Sequence, residues 1–143
     1  MSIEVDNLRI TKLRTYLIGV ISELKETFGE LNVDFLSDEP NNYSLDKIPT
    51  SSVVERWITG TELHRDVYSF RSRMEYSPDT ISNIQNIGFF EMFEKRIFEK
   101  NWAKELPEID GIQSIACLNC ASIRTANTNT SEFDLQIQIE YRV

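Results

Sequence analysis

One histidine and two cysteines are the side chains of this sequence most able to act as a base or a nucleophile. His64 is the only histidine, so a Ser-His-Asp or Cys-His site would have to be built around it. Its neighbours in the segment 62–66 (ELHRD) are charged residues typical of an exposed strand. A surface histidine explains this position better than a catalytic base.

Cys117 and Cys120 have the spacing of a redox pair or of half a zinc site. Redox pairs of this kind begin a helix, whereas these two cysteines lie in an extended apolar segment. Neither a second cysteine pair nor a histidine cluster is present to complete a zinc site. We therefore expect buried thiols.

Other motifs for chemistry are missing from the sequence. The five glycines form no phosphate-binding loop, and the acidic pair Asp38-Glu39 lies in a polar stretch without metal-ligand spacing. We expect no enzyme activity, no metal and no cofactor.

Length and charge narrow the class of protein further. A chain of 143 residues is the size of one domain. Its net charge of −8 argues against a surface for nucleic acid, because binding of phosphates requires clustered Lys and Arg. No run reaches the roughly 18 apolar residues of a membrane span, and no basic region precedes an apolar one at the N-terminus. We expect a single cytoplasmic domain, residues 1–143.

The first half of the chain predicts a helix, a strand and a long loop. Apolar residues spaced by three and four predict a helix over residues 10–28, started by Asn7 or Thr11 and stopped by Gly29. Alternation then predicts a strand over 31–35. The polar stretch 37–52 predicts a loop, with room for a short strand at 43–45, and a surface for a partner.

Two further strands, 53–58 and 63–76, are predicted on either side of Thr59-Gly60, where Gly60 supplies a turn or a bulge. In the second strand the aromatic residues alternate with polar ones, so Arg71 and Arg73 point away from the core. They could bind an acidic partner, although a solvated sheet face is the more common explanation of exposed charge.

A second helix is predicted to begin at Ser77, with Pro78 in its first turn and Asp79 at the positive end of its dipole. Its apolar stripe is expected to continue towards Leu106-Pro107, as one kinked helix or two abutting ones. The residues of the stripe are Ile81, Ile84, Ile87, Phe90, Phe93, Ile97 and Trp102.

The remainder, 112–143, is predicted to form a hairpin whose connection is 125–130. Its last strand alternates without a break, with Gln136, Gln138 and Glu140 on the polar side. A strand this long and flat should lie inside the sheet or pair with another subunit. The order of elements predicts an α+β fold, a mostly antiparallel sheet packed on one face by both helices.

Three segments carry a resemblance to a known family. The segments 55–60 (ERWITG), 70–77 (FRSRMEYS) and 83–90 (NIQNIGFF) resemble the minor capsid and tail-terminator-like proteins of long-tailed, siphovirus-type phages and prophages of Gram-positive bacteria. The resemblance runs from about residue 51 to the end of the chain.

The resemblance implies a structural protein of the virion neck, made in the host cytoplasm and then built into the particle. Such a subunit assembles with itself into a ring of six, caps the tail tube and joins it to the head. Its partners would be the tail-tube protein and a head-completion protein, with DNA only passing through the channel and no membrane involved.

Several alternatives stay open. A head-completion or connector protein of the same neck would fit the resemblance, and a host-encoded binding module or a small thiol enzyme would fit the sequence without it. Under the neck hypothesis, the subunit or tube contact would use Arg71 and Arg73 or the polar side of the last strand. The residues of that polar side are Gln136, Gln138 and Glu140.

Overall fold

The computed structural model describes residues 4–49, 52–76, 79–119, 122–126 and 130–143. Within these ranges, two α-helices and seven strands form an α+β fold in which both α-helices pack against the sheet, as predicted. The helices are α1 (Arg9–Leu24) and α2 (Thr80–Trp102). The strands are β1 (Leu31–Val33), β2 (Asn42–Ile48), β3 (Val53–Arg56), β4 (Glu62–Glu75), β5 (Ile112–Cys117), β6 (Ser122–Ala126) and β7 (Thr130–Arg142).

Two long antiparallel strands, β4 and β7, form the centre of the sheet. The outer side of β4 is lined by β2 and then β3, and the outer side of β7 by β5 and then β6. Strand β1 extends the sheet beyond β2 and is the one parallel neighbour among the described strands. β7 therefore has partners on both sides, which is the first of the two placements expected for it.

The core lies between the sheet and the two helices. Phe70 of β4 is stacked between Tyr43 of β2, at 5.3 Å between ring centroids, and Phe93 of α2, at 4.9 Å. Leu13 and Leu17 of α1 are fully buried in the same cluster. Alternation along the strands places these side chains on one face, so the opposite face of the sheet carries the polar residues.

The prediction of a loop over 37–52 was wrong in its extent, since the short strand expected at 43–45 is a full strand, β2, over Asn42–Ile48. β2 pairs with β4 along its whole length, and its Tyr43 and Leu45 are fully buried. The intervening Ser44 and Asp46 made the segment resemble a loop. They lie on the polar face, where Arg71 of β4 forms an ion pair with Asp46.

The predicted ends of α1 were also wrong. Leu8 occupies the N-cap position without a side-chain hydrogen bond, whereas the Thr11 hydroxyl donates to the Val5 carbonyl. The helix ends at Leu24, several residues before Gly29. A Cβ at Gly29 would collide with the Asn42 side chain, so close packing explains this glycine better than a helix stop.

Helix α2 is a single element, and Asp79 is its N-cap instead of Ser77. The Asp79 carboxylate accepts hydrogen bonds from the Ile81 amide at 3.1 Å and the Ser82 hydroxyl at 3.0 Å. Ser77 and Pro78 lie outside the described residues. An aspartate in this position satisfies amides that the first turn leaves unpaired.

The last hairpin contains more structure than predicted. The segment expected to be a connection, 125–130, includes the end of β6 and the start of β7. β5 and β6 follow one another along β7, with the Leu118 amide donating to the Gln136 carbonyl between them. At the other end of the sheet, Gly60 has a φ of 90° in the turn from β3 to β4, which confirms its predicted role.

Candidate functional site

The open face of the sheet, the side away from both helices, is the first candidate surface. No helix of the described part of the chain covers it. It is built by the outward residues of three adjacent strands, and the sequence-predicted site residues all lie on it. Those three strands contribute Ser44, Asp46, Arg65, Val67, Ser69, Arg71, Arg73, Glu132, Asp134, Gln136, Gln138 and Glu140.

Arg71 lies at the centre of an ion-pair network on the open face. Its Nε is 2.5 Å from Asp46 Oδ2 and its Nη1 is 3.4 Å from Glu132 Oε1. The Ser44 hydroxyl donates to Asp46 at 2.6 Å. Since the Arg71 side chain is 22% exposed and lies between two carboxylates, its charge is already neutralised within the subunit.

Arg73 anchors the segment 34–41 that connects β1 to β2. Its Nε donates to the Ser37 carbonyl at 3.3 Å, and its own carbonyl accepts the Asn41 amide at 2.6 Å. The predicted basic pair thus points to the expected side of the sheet. Both side chains already bind groups of their own subunit, so an acidic partner would have to compete with those contacts.

The polar side of β7 is partly buried and similarly connected. Gln138 Nε2 donates to Glu140 Oε1 at 2.9 Å, and Arg65 Nη2 lies 3.5 Å from the same carboxylate oxygen. The backbone N–H of Gln136 donates to Asn119 Oδ1 at 2.9 Å. The backbone of β7 is occupied by its neighbours, which leaves its side chains as the part another protein could contact.

The outer face of α2 is the second candidate surface, and the sequence prediction missed it. Six large apolar side chains on this helix are between 53% and 82% exposed. The buried side chains are Phe89, Phe90, Phe93 and Ile97. The exposed residues of the outer face are Ile81, Ile84, Ile87, Met92, Phe98 and Trp102.

The predicted apolar stripe of α2 therefore combined two faces. Ile84 and Phe93 are nine residues apart, about two and a half helical turns, which places them on opposite sides. Ile84 and Trp102 are eighteen residues apart, about five full turns, so they share a side. The expectation that the three isoleucines and Trp102 share one apolar stripe with Phe90, Phe93 and Ile97 was wrong, and this spacing was the signal that could have corrected it.

A buried carboxylate, Asp66, joins the start of α1 to the sheet. It is 2% exposed and accepts hydrogen bonds from Arg9 Nε at 3.0 Å, Tyr141 OH at 3.1 Å and Tyr68 OH at 3.4 Å. Burial, together with the charge of Asp66, raises the pKa of both tyrosines. Because three donors already bind this carboxylate, the cluster holds the start of α1 against the sheet and does not provide a free base.

His64 and Cys117 are poorly placed for catalysis. His64 Nε2 lies 2.9 Å from Glu62 Oε1, and its ring packs against Tyr141. Burial, together with the nearby Glu94 carboxylate, raises the pKa of the Cys117 thiol to about 12. A nucleophilic cysteine needs the thiolate, which this environment disfavours. Cys120 lies outside the described residues.

The described ranges contain no group of three or more His, Cys, Asp or Glu residues that could hold a metal ion. In the same part of the chain, neither helix combines the length and the apolar character needed to cross a membrane. No model of a known protein family matches the chain, and no curated protein matches it in sequence.

Proposed function

We propose that this protein is a structural subunit of a phage neck, a tail terminator that assembles into a ring, caps the tail tube and joins it to the head. The observation that carries the proposal is the open face of the sheet, a broad polar surface without a helix over it in the described part of the chain. The resemblance of the segments 55–60, 70–77 and 83–90 to tail-terminator-like proteins adds the biological setting.

The open face suits a contact between proteins more than a reaction. Arg71 is paired with Asp46 and Glu132, and Arg65 with Glu140, so binding another protein would not bury these charges unpaired. The half-buried amides of Gln136 and Gln138 can hydrogen-bond to a partner. Non-obligate interfaces are about as polar as the rest of a protein surface, so a polar face of this kind can serve as one.

A ring requires that one patch of a subunit meet a different patch of its neighbour. The open face would provide one of these two patches or the contact with the tube. The net charge of −8 would keep DNA from adhering to the channel as it passes. A thiol enzyme is disfavoured by the raised pKa of Cys117.

Electron microscopy of tails made with and without the protein tests this function. Without it, we expect tails of variable length that are not joined to heads. Tails of normal length beside unjoined heads would instead support the head-completion role. Normal joined particles in its absence would overturn both.

The part played by the open face is tested by Gln138→Lys, with Gln113→Lys as the matched control. Gln138 is half-buried on the open face, whereas Gln113 is exposed on β5. Both variants make the same change of side chain and charge. We expect only Gln138→Lys to reduce the fraction of joined tails, once thermal unfolding has shown that both purified variants fold. An equal effect of the two would exclude the open face as the contact.

A further inference from the structure

The outer face of α2 is large enough to be an interface by itself. Aromatic side chains carry about 150–250 Å² each and the four aliphatic ones somewhat less, so the six exposed residues present about 500 Å² of apolar surface. A standard interface buries about 800 Å² per partner, of which somewhat more than half is apolar. The apolar area of α2 thus matches what one standard interface requires.

The charged residues on this face favour a second copy of the same helix as its partner. Glu91 and Lys95 are exposed between the two ends of the apolar stripe, and within the described residues neither forms an ion pair. A second α2 helix laid antiparallel on the first would place Glu91 of each copy beside Lys95 of the other. A parallel arrangement would place like charges together, which is unfavourable.

The same antiparallel register matches large side chains with small ones. It places Ile84 opposite Trp102 of the second copy, and Gly88 opposite Phe98. No atom lies within 4 Å of where a Cβ at Gly88 would be, so nothing in its own described surroundings requires a glycine at this position. A glycine in a helix costs about 1 kcal/mol relative to alanine, and here the space it leaves would receive the Phe98 ring.

We propose that α2 is a self-association site, at which two copies of this chain pair antiparallel through their outer faces. The contact has two-fold symmetry, with Ile84 against Trp102, Gly88 against Phe98, and Glu91 against Lys95, each made twice. It does not depend on the neck function. The outer face of α2 and the open face of the sheet lie on opposite sides of the subunit, so both can be occupied at once.

Charge reversal tests this pairing without touching the core. Sedimentation equilibrium of the full chain should show monomers and dimers with a dissociation constant of about 1–100 µM, in the range of modest interfaces. Glu91→Lys and Lys95→Glu should each weaken the dimer by about tenfold, since each disturbs two pairs. The double variant should restore it. Glu55→Lys, an exposed change of equal charge on β3, should leave it unaltered.

Each outcome is decisive for the proposal. A chain that stays monomeric up to about 100 µM overturns it. A dimer that is indifferent to Glu91→Lys, or one that the double variant fails to restore, overturns the antiparallel α2 contact. Because sedimentation uses the purified chain and the neck function is read from tails, failure of one is distinguishable from failure of the other.

Discussion

The two uncovered surfaces of this protein differ in how far their groups are satisfied within the subunit. On the open face of the sheet, Arg71 is held by Asp46 and Glu132. On the outer face of α2, Phe98 and Trp102 are largely exposed, and the charges of Glu91 and Lys95 have no ion-pair partner among the described residues. The first surface contributes to the stability of the fold, whereas the second leaves apolar area that only another molecule can bury.

For the purified chain, in the absence of other neck or tail proteins, this contrast predicts which property each surface controls. Substitutions on the open face should lower the free energy of unfolding, because they break contacts inside the subunit. Substitutions on the outer face of α2 should change association and leave the fold nearly unaffected. The following substitutions test that division, from the largest expected effect to the smallest.

The largest effect should come from the buried side of α2. Phe93→Ala should lower the free energy of unfolding by about 3–5 kcal/mol, because Phe93 is fully buried and stacked on Phe70. Phe98→Ala, on the same helix, should change it by less than about 0.5 kcal/mol, since that ring is exposed. Urea unfolding at low protein concentration measures both.

The two variants remove the same side chain at positions five residues apart on one helix, which is about 1.4 turns. If Phe98→Ala proved as destabilising as Phe93→Ala, the outer face would belong to the core of the monomer and the contrast between the two surfaces would be wrong. If Phe98→Ala alone reduced dimer formation, the division would be sharpened on a single helix.

A second prediction concerns the ion pairs of the open face. Arg71→Met should lower the free energy of unfolding by about 1–3 kcal/mol, because it removes the cation between two partly buried carboxylates. Arg65→Met is the control. It breaks only the longer contact to Glu140 from a side chain that is 41% exposed, so its cost should stay below about 1 kcal/mol. Equal costs would show that the network around Arg71 is ordinary surface pairing.

A third prediction separates stability from association at one residue. Gly88→Ala should raise the stability of the monomer by about 0.5–1 kcal/mol, since alanine favours a helix and no described atom obstructs it. The same change should weaken the dimer, because a methyl group would occupy the space for Phe98. Thermal unfolding at low concentration and sedimentation at high concentration measure the two effects. Gains in both would contradict the proposed close approach at Gly88.

The sequence predicted the layers of this fold better than its details. The α+β class and the packing of both helices on one face followed from periodicity, and the inner position of β7 was one of the two placements expected for it. Only the middle of β2, residues 43–45, was predicted as a strand, because Ser44 and Asp46 are typical of loops. Their place in a strand depends on Arg71, which lies far away in the sequence and close only in the folded sheet.

The candidate surfaces were likewise predicted only in part. Alternation placed Arg71, Arg73 and the polar side of β7 on one face, yet it could not show that their charges are paired across strands. For α2, the sequence prediction combined the buried face and the exposed outer face into one apolar stripe. Periodicity identifies which residues share a face, whereas the position of the sheet decides which face is buried.

The smallest effect is expected where α1 and α2 meet at the surface. Glu23 lies 2.7 Å from Arg96 and 3.2 Å from Lys100, and the hydrogen bond from Arg96 is the main cause that holds the pKa of Glu23 below its ordinary value. A carboxyl group whose pKa is lowered by folding stabilises the fold when the pH is above its ordinary pKa. This contribution is lost as the pH falls through the pKa of the folded state. Glu23→Gln should therefore be slightly less stable than the parent chain at pH 7 and equal to it in acid.

Denaturant midpoints at pH 7 and pH 3 measure the loss, with Glu26→Gln as the control at an exposed glutamate without an ion pair in the described residues. Because this pair is exposed to solvent and screened by salt, its loss should be smaller than that of Arg71→Met. A difference that persisted unchanged at pH 3 would mean that Glu23 acts through packing. A loss as large as that of Arg71→Met would remove the distinction between the enclosed network of the open face and ion pairs elsewhere on the surface.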